Sequence, residues 1–395
     1  MKINVLILFL LFNTIGVSRD NREEVFDFYC QLPIVNYEKE SAVDALPSKK
    51  KIIAKMTLAN AYFMQKWADP TKEIVTERAR PSNIWTRATY YEGLLELHKL
   101  APKQAYLDYT LQWANFHKWN LRNGTKTRNA DDQTCGQVYI DLYLMDKKPE
   151  RLTAIKANMD TLLSDTRNDH WWWVDALHMA MPVMARLGTL YNDNRYFEKM
   201  HTIYMYSKTQ HGGKGLYNPA DKLWWRDKDF VPPYKEPNGE DCYWSRGNGW
   251  VLAAMVRVLD VMPKDAPHRD EYLQMYKDIV EALVPLQRAD GFWNVSLHDP
   301  NHFGGKELTG TAFFTYGMAW GIRQGILDKK KYKPIITKAW KGMADAVHPN
   351  GFLGYVQGTG KEPKDSQPTG YDNVPNFEDF GLGAFLLAGT EICKL

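Results

Sequence analysis

The sequence lacks three features, and each absence excludes a class of protein. It has four cysteines in 395 residues, Cys30, Cys135, Cys242 and Cys393. They are scattered and have none of the close spacing of a zinc site, and a core of the size this length allows needs no disulfide framework. It has no clustered basic face: Lys and Arg number 50 against 47 Asp and Glu, a net charge of +3. The short lysine runs at Lys49 to Lys51 and around Lys329 read as solvated helix starts, so nucleic acid is not an expected partner. It also has no apolar run of the about 20 residues that cross a bilayer. The longest run, Ile3 to Val17, follows a single lysine and leads into polar residues. That is the pattern of a signal peptide, so residues 1–19 are expected to be removed on export to the periplasm or the medium, with no clear small-residue site marking the cut. Residues 20–48 then form a polar leader, and no membrane association is expected after processing.

Strand-like alternation is scarce too. What fills the chain instead is apolar residues at helical spacing, in twelve segments separated by Gly, Pro and Asn-rich breaks: 52–67, 84–100, 103–119, 132–145, 150–163, 174–190, 194–210, 246–261, 269–287, 309–327, 331–347 and 376–392. Proline starts or ends several of them, as at Pro102, Pro149, Pro267 and Pro334. A faint repeat runs through the array, for Gly215-Leu216-Tyr217, Gly291-Phe292-Trp293 and Gly351-Phe352-Leu353 each follow an odd-numbered segment. Twelve helices with such a repeat predict an all-α fold of six helical hairpins closed into an (α/α)6 toroid, with an open solenoid as the alternative. The toroid is expected to be a single catalytic domain over 49–395. Two breaks, 211–245 and 289–308, are too long to be mere connections and are expected to carry function.

Aromatic residues are plentiful, with 14 Trp and 22 Tyr, and their apolar faces suit either a rigid core or the faces of sugar rings. At Trp171-Trp172-Trp173-Val174-Asp175 a lone carboxylate stands behind three tryptophans at a helix start. Burial among rings would keep it protonated, as a general acid requires, whereas the plainer alternative is a helix cap. Asp131 and Asp132 in NADDQTCGQ also begin a helix, and one of them is expected to face Asp175, because paired carboxylates in different surroundings divide acid and base roles. In YWSRGNGW, Trp244, Arg246, Asn248 and Trp250 alternate with small residues, whose glycines let a ligand approach the backbone, and Arg246 is suited to grip a carboxylate or to pair with Glu240 or Asp241. Tyr90, Tyr91 and Glu92 head the second segment, and Glu307, Thr309 and Thr311 the tenth. All five motifs fall at the N-terminal ends of even-numbered segments, which share one mouth in a six-hairpin ring.

Taken in order, YYEG, NADDQTCGQ, WVDALHMAMP, WSRGNGW and ELTGTAFFTYGMAWGI resemble glycoside hydrolase family 105, the unsaturated rhamnogalacturonyl hydrolases, over nearly the whole mature chain. The resemblance implies Asp175 as catalytic acid, Asp131 as second acid, Tyr91, Trp244, Arg246 and Trp250 as sugar contacts, and His170 as an approximate stand-in for a substrate-binding histidine. Trp173 and Asp132 join the expected site. It implies an oligosaccharide substrate whose non-reducing uronyl ring carries a C4=C5 double bond, hydrated without metal or organic cofactor, by a monomer or homodimer. The alternatives are a glucuronyl hydrolase acting on ulvan or glycosaminoglycan fragments, an ordinary two-carboxylate glycosidase and a non-catalytic sugar-binding protein.

Overall fold

Two kinds of helix alternate along the chain. The computed structural model describes residues 45–395; the expected signal peptide and most of the leader lie outside them. Outer helices are amphipathic, and three of them are capped by small polar side chains. The outer helices are α1 (Lys49–Lys66), α3 (Gln104–Phe116), α6 (Glu150–Ser164), α8 (Asn194–Thr209), α10 (Arg269–Leu283) and α12 (Lys329–Asp345). Ser48, Asp193 and Asp328 accept the amide hydrogens of Lys51, Arg195 and Lys330 at 3.4, 3.0 and 2.9 Å. Inner helices are apolar nearly all round and correspondingly buried. They are α2 (Trp85–Leu100), α4 with α5 (Ala130–Gln133 and Cys135–Asp146), α7 (Asp175–Tyr191), α9 (Ser245–Val261), α11 (Leu308–Arg323) and α13 (Asp379–Ile392).

Each inner helix packs on the next, and α13 packs back on α2, which closes a ring of six. The closing contact is close enough to require glycine on both sides: a Cβ on Gly93 would lie 2.4 Å from the Gly383 carbonyl oxygen, and one on Gly383 2.3 Å from that of Thr89. Outer helices α3, α6, α8, α10 and α12 each lie against the inner helix that precedes them, while α1 covers α13. The sixth hairpin is therefore made from the two ends of the described chain, as an (α/α)6 toroid allows.

Two segments depart from the spacing that predicts them. Segment 132–145 is broken into α4 and α5 because Thr134 Oγ1 back-bonds to the Ala130 and Asp131 carbonyls at 3.3 and 3.1 Å, and the next turn tightens to a Gln137-to-Thr134 bond. Pro334 lies inside α12, which starts earlier, at the Asp328 cap. None of the described helices is long and apolar enough to cross a membrane. Connections from an outer helix to the next inner helix all open at the end of the ring where the inner helices begin. Three carry two-residue strand pairs: β1 (Ile74–Val75) with β2 (Ala79–Arg80), β3 (Tyr217–Asn218) with β4 (Leu223–Trp224), and β5 (Trp293–Asn294) with β6 (Lys306–Glu307). The two long loops are tied together at Ser296, whose hydroxyl donates to Glu236 at 3.1 Å, and at Asn238, whose side chain donates to the His298 carbonyl at 3.0 Å.

Candidate active site

A pocket of about 260 Å³ opens at this end of the ring, lined by Asp131, Asp175, Trp173, Trp85, Phe377, Thr359, Gly360 and four arginines, Arg78, Arg80, Arg122 and Arg226, among others. Asp175 is the first residue of α7 and is 7% exposed. The chain entering α7 is held by the long loop before α9: the Val174 N–H donates to the Arg226 carbonyl at 2.9 Å, and Trp173 pairs with Asp227 in an antiparallel bridge. This pairing delivers Arg226 to the acid. Its Nε donates to Asp175 Oδ2 at 3.3 Å and its Nη1 to Asp227 Oδ2 at 2.7 Å. Burial raises the Asp175 carboxyl above the ordinary carboxylate range, with Arg226 and then Arg246 opposing the rise.

Asp131 sits on the short helix α4, its amide donating to the Asn129 cap at 3.0 Å. Burial, then the negative charges of Asp175 and Asp132, push its carboxyl up to about 7. The two carboxyls thus titrate as a pair that holds a proton near neutral pH. Arg226, bonded to Asp175, favours its charged form against the burial that raises it, so drawing Arg226 away would leave the proton more firmly on Asp175.

Of the expected site residues, Asp131, Asp175 and Trp173 meet in the pocket, and the other six lie behind its walls. Asp132 turns away to accept from Asn123 and Thr127 at 2.9 and 2.7 Å, holding the loop before α4, so Asp131 is the acid that faces Asp175. Tyr91 is sealed among Tyr90, Tyr109 and Trp113, and Trp250 among Trp85, His178 and Phe313. His170 is buried in its loop, accepting from Arg128 Nε at 3.2 Å, and burial lowers its imidazole. Tyr91 and Trp250 fill the wall because large rings on the buried face of an inner helix have nowhere else to go.

YWSRGNGW has a different task from the expected one. Arg246 donates to the Gln357 and Gly358 carbonyls at 2.6 and 2.7 Å, and Trp244 Nε1 to Gln357 Oε1 at 2.9 Å, which fixes the loop that presents Thr359 and Gly360 to the pocket. Neither Glu240 nor Asp241 pairs with Arg246, and burial lowers its guanidinium to about 10. Asn248 brackets Trp224, accepting from its N–H at 2.9 Å and donating to its carbonyl at 3.0 Å, two residues before Arg226. Glu307 proves to be a cap: its carboxylate accepts the amides of Thr309 and Gly310 at 2.9 and 2.5 Å. Arg226 and the other pocket arginines escaped the sequence reading; the signal for Arg226 was its place, WWRD, in a loop too long to be a mere connection.

The model of Glycosyl Hydrolase Family 88 matches residues 55–395. The chain belongs to this family. Among curated proteins it is similar to the "Unsaturated 3S-rhamnoglycuronyl hydrolase" of Formosa agariphila, 35% identical over 331 residues that span 79% of this chain and 84% of that protein. Among solved structures it is similar to a family 88 glycosyl hydrolase from Bacteroides vulgatus, with a TM-score of 0.79 and 30% identity over 88% of this chain and all of that one. A family 105 glycoside hydrolase from C. acetobutylicum shares the fold at a TM-score of 0.68 and 18% identity, over 86% of this chain and 99% of that one. The anticipated kinship with these toroidal hydrolases holds, and this family 88 member is a glycoside hydrolase.

Proposed function

We propose that this family 88 hydrolase removes the unsaturated uronyl residue from the non-reducing end of lyase-generated oligosaccharides, with Asp175 as the proton donor. The observation that carries the reading is the Asp131–Asp175 pair, holding one proton in a buried pocket beside a cation that a uronate carboxylate can claim. The 4,5-unsaturated ring is an enol ether, so a proton from Asp175 adds to C4 and leaves an oxocarbenium centre shared by C5 and the ring oxygen. The ionised partner, Asp131, stabilises that charge at close range in a dry site. Water then attacks C5 and gives its proton to a carboxylate of the pair. The hemiketal so formed opens to a ketone at C5, and the hemiacetal left at C1 collapses and releases the aglycone.

Arg226 connects binding to protonation. When the substrate carboxylate takes the guanidinium, Asp175 loses its cation in a buried place and its proton affinity rises. Substrate binding thus arms the acid. Six inner helices also begin at this mouth, and their positive dipole ends favour an anionic sugar there. For the aglycone, the name of the Formosa agariphila relative supports an unsaturated glucuronyl–rhamnose unit over the rhamnogalacturonyl unit expected from the motifs. The apolar N-terminal run supports export to where lyase products form.

The test is loss of the double-bond absorbance from an unsaturated glucuronyl–rhamnose disaccharide, with Asp175→Asn alongside. A positioned acid contributes about a hundredfold to ten-thousandfold, so the variant should bind the sugar and turn it over slower by that factor. Undiminished turnover in the variant would remove Asp175 from the role, and cleavage of saturated glycosides with no loss of absorbance would point to two-carboxylate hydrolysis.

A further inference from the structure

The two long loops, 211–245 and 289–308, bring together a group of ligating side chains that the proposed reaction does not use. Glu236 comes from the first loop, Asp299 and His302 from the second, and one donor atom of each, a carboxylate oxygen or a ring nitrogen, lies within 4.8 Å of the other two. Glu236 Oε2 is in contact with His302 Nδ1. Its other oxygen accepts the Ser296 hydroxyl at 3.1 Å. Asp299 is held by backbone amides: Oδ1 accepts from Asn301 and His302 at 3.0 and 3.1 Å, and Oδ2 from Asn238 at 3.3 Å. The loops run beside one another close to this group, where Trp244 bridges Ser296 and the Leu297 N–H donates to the Tyr243 carbonyl at 2.9 Å. None of the three side chains lines the active-site pocket.

The charges of this group do not close within the protein. Glu236 and Asp299 are 3% and 2% exposed, and among the described residues neither carboxylate has a lysine or arginine within ion-pair distance; the histidine is the only basic partner. Lys235, beside Glu236 in sequence, turns instead to Asp241 at 2.6 Å. A single imidazolium answers only one of two buried negative charges, and buried charges are paired or coordinate a metal. Two carboxylates with one imidazole make a ligand set for a divalent transition ion. Calcium prefers oxygen alone, with about six to eight ligands. Zinc takes imidazole and carboxylate together at about 2.0–2.2 Å, which sets tetrahedral donors roughly 3.4 Å apart, a spacing that small side-chain rotations reach here.

We propose that Glu236, Asp299 and His302 bind a zinc ion that clamps the two long loops together, with water in the fourth position, where part-exposed His302 opens the site to solvent. Spacing along the chain does not reveal the set, because its members lie on loops about sixty residues apart and include no cysteine pair. The ion takes no part in the reaction. It steadies the loop that delivers Arg226, and the site stands whether or not the proposed reaction does.

The experiment uses the full chain, stripped with a chelator and titrated by calorimetry with zinc, manganese and calcium in turn. Zinc should bind at one ion per chain, more tightly than the other two, and at about a hundredfold excess over its Kd should raise the melting temperature by about 3 °C. His302→Gln, which keeps a polar side chain at a part-exposed position, and Asp299→Asn should each weaken zinc by about tenfold to a hundredfold or more and lose the thermal gain. In limited proteolysis the stripped wild type should be cut faster within 211–245 or 289–308, and zinc should restore its resistance. Zinc bound no more tightly than calcium, or zinc affinity unchanged in both variants, would overturn the site and leave an ordinary Glu236–His302 pair beside a loop cap.

Discussion

Helix α7 carries two buried ionisable side chains one turn apart, Asp175 and His178, and their surroundings differ in one respect that separates chemistry from scaffolding. Asp175 opens onto the pocket and has a cation, Arg226, that faces the ligand. His178 is sealed inside the ring with its Nε2 3.0 Å from Glu92 Oε2, and Arg257 Nε reaches the same carboxylate at 3.5 Å. Arg257 also donates to Gln137 Oε1 at 2.5 Å, and its neighbouring acids raise its guanidinium despite burial. Both clusters contain a buried carboxylate and an arginine. Only the first has a partner that an incoming anion can displace, and only there can binding alter protonation. The second joins helices α2, α5, α7 and α9 around the ring axis.

The largest effect expected from this contrast is on stability and lies in the sealed cluster. Glu92→Ala strands Arg257 without its nearest acid, and breaking a buried pair from one side costs about 3–5 kcal/mol. Urea unfolding should show that loss, while the protein that remains folded keeps turnover close to the parent. A stable variant with turnover abolished would place Glu92 in the chemistry and dissolve the distinction.

Next in size is the displaceable cation. Arg226→Lys keeps a positive charge near Asp175 but loses the fork that grips Asp175 and Asp227 together, so kcat/KM should fall about tenfold to a hundredfold. Arg226→Ala should fall further and lose discrimination between the uronate and its methyl ester, while Lys retains part of it. If the ester discrimination persists in Arg226→Ala, another group holds the carboxylate.

The ring was legible because its helices announce themselves twice, by apolar spacing and by breaks, and because the inner helices, apolar all round, contrast with the two-faced outer ones. Asp175 and Asp131 were legible because a carboxylate at the start of an apolar helix must either cap that helix or face a ligand. The cationic half of the pocket was not. Arg78, Arg122 and Arg226 sit in loops of no period, and nothing local distinguishes a guanidinium that lines a pocket from one such as Arg167, which pairs with Asp165 two residues away. The tryptophan and glycine motif misled for a related reason: Trp244, Arg246 and Asn248 look like ligands for a sugar, and each instead binds the backbone or side chain of a loop that does the lining. Hydrogen-bonding residues at glycine-rich helix starts grip a neighbouring backbone as readily as a ligand, and spacing cannot tell the two apart.

The smallest effect, and the sharpest test of the carboxyl pair, is a displacement along the pH axis. With Asp131 raised to about 7, the pair loses its proton as pH climbs through that value, and kcat/KM of the wild type should fall on the alkaline side there. Asp131→Asn takes a negative charge away from Asp175. A carboxyl with one fewer acidic neighbour gives up its proton more easily, so the alkaline limb should move to lower pH, by about one unit for each 1.4 kcal/mol of lost repulsion. Stability should change with the same sign. A carboxyl whose folded pKa lies above its unfolded value contributes stability that is complete below the unfolded pKa and lost as pH rises through the folded one, here about 7. Thermal melts of the wild type should therefore decline from pH 5 to pH 8 more steeply than those of Asp131→Asn. An alkaline limb that stays in place in the variant would show that the proton lost near pH 7 is not shared between Asp131 and Asp175, and the pair would then have to be treated as two independent acids.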